Sequence, residues 1–149
     1  MSEPATGSPE YGAGHWAELD PTIGYAILRL RISVFVIEQQ CAYQELDGRD
    51  LDPSAVQMWA RLGGEVVSTL RILRLDDGAF RIGRVATDPR CRGRGIAGEL
   101  MRRALRAAGR PLVLSAQAHL VAWYETFGFA VSGPGWTEDG IPHVPMRVT

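Results

Sequence analysis

Nine consecutive residues, Arg90 to Gly98, read Arg-Cys-Arg-Gly-Arg-Gly-Ile-Ala-Gly. They lie between an alternating apolar run that ends at Thr87 and a stretch of helical periodicity that starts near Gly95. A strand, a glycine turn and a helix N-terminus in that order suit a phosphate or pyrophosphate. Glycine lets the backbone come close, the first helical N–H groups have no partner within the helix, and the helix dipole adds partial positive charge. Arg90, Arg92 and Arg94 strengthen the same field. Nine arginines stand between positions 81 and 110 (81, 84, 90, 92, 94, 102, 103, 106, 110), against only Asp88 and Glu99. Gly93 to Gly98 also spells G-x-G-x-x-G, but the context is wrong for a dinucleotide fold: a meander precedes it, and Pro111 to Ala118 contains no acid for the ribose. A plain glycine turn with solvated arginines is the other alternative.

Composition narrows the chemistry. All 16 basic residues of the 149 are arginine, so a P-loop lysine and a Schiff-base lysine are both excluded. A net charge of −1 argues against a general nucleic-acid binder, although the charge is locally uneven. Cys41 and Cys91 make no disulfide framework and have no zinc-ligand spacing, and the three histidines are far apart, so no metal is expected. No apolar run approaches the ~20 residues of a membrane span, and Met1 to Gly14 is acidic and rich in Ser, Pro and Gly where a signal peptide is basic then apolar. The chain reads as one cytosolic domain.

The elements that must position the turn follow from periodicity. Residues 1 to 14 read as a loose tail, and the domain is expected to span 15 to 149. His15 to Leu19 suits a first strand. Asp20-Pro21 is an N-cap and first helical residue, and Ile23, Ile27, Leu30 and Val34 bury one face of a helix running toward Glu38. Gln39 to Pro53 is polar and turn-rich. Val56 to Leu62 and Glu65 to Leu75 flank Gly63-Gly64 as a hairpin, and Asp76-Asp77-Gly78 turns into a third run, Ala79 to Thr87, with an irregularity at Gly83. A helix over 95–108 with Gly109 as its C′ residue comes next, then a strand over 111–115 buried on both faces. A second helix over 118–127 ends at Gly128, and 129–131 and 144–148 are final strands. This is an α/β (α+β mixed-sheet) chain.

Arg90, Gly93 and Gly95, after a strand ending Gly83-Arg84-Val85-Ala86-Thr87-Asp88-Pro89, resemble the acetyl-CoA pyrophosphate motif of the GNAT acyltransferase superfamily. Trp123-Tyr124-Glu125-Thr126-Phe127-Gly128-Phe129 resembles a second segment found late in these enzymes, and the likeness covers about residues 15 to 148. Val34 to Gln39, Tyr43 to Gly48, Ala116 to Leu120 and Asp139 to His143 are similar to the ElaA-like branch. The resemblance implies the GNAT fold, an antiparallel meander followed by parallel strands that splay into a V holding acetyl-CoA. Val85, Ala86 and Thr87 would then line the pantetheine with main-chain groups. The N–H groups of Arg92, Gly93, Arg94, Gly95, Ile96 and Ala97 would hold the pyrophosphate, with Gly98 beside them. Gln117 stands where many relatives carry Asn, a departure that leaves its contact open. A strand N–H near Val85 would stabilise the developing oxyanion, and Tyr124 matches the proton donor to the departing thiolate. Glu38, His119 and His143 are base candidates, each with a structural alternative: an arginine pair, a helix-start contact and a loop contact.

The implied activity is N-acetyl transfer from acetyl-CoA to a primary amine by direct attack in a ternary complex. The acceptor is a small molecule or a peptide, met by the first helix, the Gln39 to Pro53 loop and Gly133 to His143. Nucleic acid and membrane are not expected as partners, and a homodimer stays open. Two alternatives remain. Arg31 with Val34-Phe35 faintly resembles the N-terminal region of acyl-homoserine-lactone synthases, and the arginine cluster would also serve a non-catalytic acyl-CoA or nucleic-acid binding module.

Overall fold

The computed structural model of the protein describes residues 6–149. Eight strands join in one sheet, numbered along the chain: β1 (Glu10–Gly14), β2 (Val56–Leu62), β3 (Glu65–Arg74), β4 (Phe80–Thr87), β5 (Leu112–Gln117), β6 (Ala130–Val131), β7 (Trp136–Glu138) and β8 (Ile141–Val148). Their spatial order is β1-β2-β3-β4-β5-β8-β6, with β7 pairing β8 off this path. Every described pairing is antiparallel except β4 with β5. The helices are α1 (Pro21–Ile32), α2 (Ile96–Ala107) and α3 (Val121–Glu125). The sheet has two apolar interfaces: Ile27, Leu30 and Val34 of the first helical segment meet Val66 and Ala86, while Leu100, Met101 and Ala104 of α2 meet Ile72, Ile82, Leu112 and Leu114. No helix among the described residues is long and apolar enough to cross a membrane.

The expected loose tail is corrected in part. Glu10–Gly14 is an edge strand, paired from Glu10↔Arg61 to Gly14↔Gln57. Its Glu-Tyr-Gly-Ala-Gly sequence shows no apolar alternation, because what holds it is tertiary. Arg103 lies 4.1 Å over the Tyr11 ring, and the Trp59 indole lies so close to Gly12 that a Cβ there would come within 2.5 Å of it. Residues 1–5 of that expected tail lie outside the described residues. The strand expected over His15 to Leu19 is instead a single 3₁₀ turn, Trp16–Glu18. Trp16 turns back onto α1, where Gly24 leaves room for its ring.

Asp20 caps α1 as expected, accepting from Thr22 N–H at 2.8 Å. The helix does not run regularly to Glu38; past Ile32 it widens into a π-helical segment, Ser33–Glu38, closed by Gln39 N–H on the Val34 carbonyl. The hairpin turn at Gly63-Gly64 has φ of 57° and 84°, the left-handed pair that a two-residue turn between twisted strands demands. Gly109 is not a left-handed C′ residue. Ala108 ends α2 in extended conformation, and the missing side chain of Gly109 admits the Phe80 ring, which touches the place a Cβ would occupy. Nor is β5 buried on both faces: Leu112, Leu114 and Ala116 are buried, whereas Val113 and Gln117 are partly exposed and Ser115 is exposed. The expected second helix splits into a 3₁₀ turn, Ala118–Leu120, and α3, and closes at Gly128 with φ 95°.

Candidate active site

β4 and β5 are in register only at Phe80↔Leu112 and Arg81↔Val113, and beyond those two pairs they part. The irregularity expected at Gly83 lies on the same stretch. Thr69 faces Ala86 and Arg71 faces Gly83, so Leu70 alone opposes Arg84 and Val85 in a β-bulge. Arg84 takes a left-handed φ of 52°, a conformation that costs a non-glycine residue about 1–2 kcal/mol. Its side chain is tethered: Arg84 Nε lies 2.6 Å from Glu45 Oε1, and Nη2 donates to the Glu45 carbonyl at 3.1 Å. At the end of β4, Asp88 N–H donates to the Val67 carbonyl of β3 at 2.8 Å. A trans peptide then directs the Thr87 carbonyl away from β3, toward the gap between the parted strands.

The glycine turn leads from β4 into α2. Asp88 accepts from Arg90 N–H at 2.9 Å, and Cys91 and Ile96 anchor the turn in a small cluster with Leu62 and Val67. Gly93 and Gly95 both adopt φ 76° with open space where a Cβ would stand, so the backbone angle and not crowding selects glycine. Gly95 is the N-cap of α2, and no side chain caps it. Gly95 and Gly98 open onto a cleft of about 490 Å³ shared with Arg102, Leu105, Trp123, Thr126 and Phe127. Two sequence segments of separate origin, the glycine turn and the aromatic stretch, thus meet in one cleft.

The arginines of the turn differ in their engagements. Arg90 bridges Asp88 at 2.7 Å and Glu65 at 2.9 Å. Arg92 forms a bidentate pair with Glu38, at 2.6 and 2.7 Å, and its Nε donates to the Thr87 carbonyl at 3.1 Å. Arg94 is exposed. Arg102, Arg103 and Arg106 all approach the Glu99 carboxylate, at 3.1, 3.2 and 3.5 Å, on an exposed helix face.

The remaining predicted residues separate into distinct surroundings. Tyr124 is 6% exposed, edge-on to Trp123 at 4.9 Å and to Phe129 at 6.3 Å. Burial alone pushes its hydroxyl up to about 12, so it carries its proton at neutral pH. Glu38 sits at the end of the π-helical segment, where the Arg92 guanidinium holds its carboxyl below the usual range against the opposing effect of burial. This is the arginine pair that was its structural alternative. His119 is exposed on the turn after β5. His143 is directly opposite Gln117 across β5 and β8, donates from Nδ1 to the Ile141 carbonyl (2.8 Å), and stacks on Trp136 at 5.9 Å.

A buried ionic network escaped sequence reasoning. Arg31, 1% exposed, bonds Glu45 at 2.9 Å and Asp50 at 2.7 Å; Arg71 bonds Asp47 at 2.6 Å and Asp50 at 3.2 Å; Gln57 donates to Asp50 at 2.9 Å. With Arg84 it fastens the 39–53 loop to α1, β3 and the bulge of β4. The acids stand in the polar, turn-rich segment 39–53, whose signal in the sequence is its density of carboxylates.

An open mixed sheet, two parallel strands that part, and an uncapped glycine-led helix beside the gap define the fold of acyl-CoA N-acyltransferases. Residues 25–149 match the acetyltransferase (GNAT) domain family. A UPF0039 protein of Mycobacterium tuberculosis is 44% identical over 137 residues, covering 88% of each chain. A crystal structure of an acyl-CoA N-acyltransferase from Pseudomonas aeruginosa has a TM-score of 0.90 at 42% identity, covering 95% of this chain and 100% of that one. The crystal structure of Escherichia coli ElaA has a TM-score of 0.88 at 37% identity, covering 94% and 99%. The chain belongs to the GNAT acetyltransferase family, in its ElaA-like branch.

Proposed function

We propose that the protein is an N-acetyltransferase that moves an acetyl group from acetyl-CoA to a primary amine by direct attack within a ternary complex. The observation that carries this is the uncapped, glycine-led N-terminus of α2 opening beside the parted ends of β4 and β5. Acetyl-CoA supplies an activated thioester. The chain's own groups supply the rest. N–H groups of Arg92, Gly93, Arg94, Gly95, Ile96 and Ala97, with Gly98 in the first turn, hold the pyrophosphate, and main-chain groups of Val85, Ala86 and Thr87 align the pantetheine, with Gln117 across the gap. An N–H at the bulge near Val85 meets the negative charge that develops on the thioester oxygen. The amine nitrogen bonds to the acyl carbon, the carbon–sulfur bond breaks, and Tyr124 gives its proton to the leaving sulfur. Glu38, His119 or His143 takes the amine proton, directly or through water.

Arg92 gives the binding step a particular requirement. Its Nε holds the Thr87 carbonyl that the pantetheine would use, so the cofactor must displace that contact. Two free thiols, Cys41 and Cys91, fit action in the reducing cytosol.

Calorimetric titration with acetyl-CoA at two salt concentrations tests the proposal, with NADH and duplex DNA as comparisons. Micromolar acetyl-CoA binding that survives moderate salt is expected, because oriented N–H groups are screened less than surface charge. Thiol release from a panel of amines follows. Salt-sensitive DNA binding with no acetyl-CoA binding would overturn the proposal.

A further inference from the structure

The face of the sheet opposite α2 and α3 carries a second cleft, of about 250 Å³, built on β4, β5 and β8. Strand register lines up its two cations. Arg81 is opposite Val113, and Val113 is opposite Arg147, so the two arginines share one face and flank a single valine across three strands. At about 4.8 Å per strand their backbones are roughly 10 Å apart, a span that two guanidinium groups can close on one ligand. Ser115 and Trp136 also line it, with Trp136 39% exposed.

Among the described residues neither Arg81 nor Arg147 forms an ion pair with a carboxylate. Arg31, Arg71, Arg84, Arg92 and Arg102 each meet a carboxylate. Arg81 is partly buried, and its Nη1 donates to Ser115 Oγ at 3.0 Å. Burial and the nearby Arg49 both work against its charge, and only Asp77 opposes them. Asp77 lines the cleft too, but its Oδ1 accepts from Ala79 N–H at 2.9 Å. A guanidinium kept partly out of water beside other cations gains most from an anion.

We propose that Arg81 and Arg147, beside Ser115 and Trp136, bind an anionic group carried at the far end of the amine acceptor. The inference rests on the acyl-transfer reading above and specifies its substrate class. Arg81 is four residues before Val85 on β4, about 13 Å along the strand, so the amine and the anion sit several bonds apart. An ω-amino acid, a short peptide with its C-terminal carboxylate or an aminoalkyl phosphate has that shape. A free α-amino acid does not.

Three acceptors of matched chain test it by thiol release: 6-aminohexanoate, 6-aminohexyl phosphate and hexylamine. The anionic acceptors are expected to exceed hexylamine about tenfold or more in kcat/KM, as a charge-assisted hydrogen bond permits, and whichever of the two leads identifies carboxylate or phosphate. Arg81→Ala and Arg147→Ala should each shrink that ratio toward one, a change that loss of folded protein would not produce. Equal turnover of hexylamine, or variants that lower all three acceptors alike, would overturn the anion site. A separate arm needs no turnover: hexanoate is titrated into the whole protein and the backbone amides of Arg81, Ser115 and Arg147 are followed by NMR. Saturable shifts without thiol release from any amine would leave the anion site standing and reject acyl transfer. No shifts together with no anionic preference would reject the site itself.

Discussion

Tyr124 and Glu38 show how neighbours decide what a residue can do. Tyr124 matches a proton donor by sequence, and its burial among Trp123 and Phe129 keeps the hydroxyl protonated up to about 12. Tyr124→Phe should lower kcat about a hundredfold while leaving acetyl-CoA affinity nearly unchanged, because a positioned acid contributes about 10²–10⁴. Wild-type activity should also show no loss at pH 8–10 from this group, and equal turnover of the two forms across that range would remove Tyr124 from the mechanism. Glu38 presents the opposite case. Its carboxylate is locked onto Arg92, and Arg92 in turn covers the Thr87 carbonyl. Glu38→Gln should loosen Arg92 and tighten acetyl-CoA binding by up to about fivefold, the scale of an exposed ion pair, measured by calorimetry. Weaker binding would show instead that the pair props the site open.

At the scale of elements, glycines act through two different physical causes. Gly93 and Gly95 are needed for their left-handed φ, since a Cβ would meet nothing. Gly109 is needed for space, because the Phe80 ring of β4 fills the volume of its absent side chain. Gly109→Ala should cost about 1–3 kcal/mol in urea unfolding, the usual range for overpacking. Adding Phe80→Leu should recover part of that loss, and strictly additive effects would show that the two residues are not coupled. The contact matters for function because Phe80 starts the short register β4 shares with β5, below the point where the strands part.

For the whole molecule, the buried network of Arg31, Arg71 and Arg84 with Glu45, Asp47 and Asp50 ties a loop of irregular chain to three elements. Arg31→Met should cost about 3–5 kcal/mol, since it strands buried carboxylates. Burial raises the Asp47 and Asp50 carboxyls, yet hydrogen bonds and charge from Arg71 and Arg31 outweigh it and hold both below the usual carboxylate range. Groups with depressed folded values add stability that is complete above their unfolded value, about 3.9, and is lost as pH falls below it. Urea midpoints should therefore drop on acidification below about pH 4, with a shallower slope in Arg31→Met. A midpoint independent of pH in that range would show that the network contributes nothing to folding.

The local signals were legible where structure is local. Asp20-Pro21 started its helix, Gly63-Gly64 made its hairpin, and the arginine–glycine turn led into α2, because capping, turn geometry and helical spacing depend on neighbours in the chain. The family, its fold and the residues offered for the cofactor were readable in those same segments. Long-range contacts were not. β1 is a strand because Trp59 and Arg103 receive it, and β5 has one partly exposed face because the chain around β7 and β8 leaves a cleft above it. Glu45 and Asp50 of the 39–53 loop are buried because arginines from α1, β3 and β4 converge on them, and no periodicity records such a meeting. Sequence by itself determined the class of protein and the glycine turn that leads into α2. Only the tertiary structure decided which arginines are ion-paired and which, among the described residues, are not, because charge compensation depends on distances across the sheet and not on spacing along the chain.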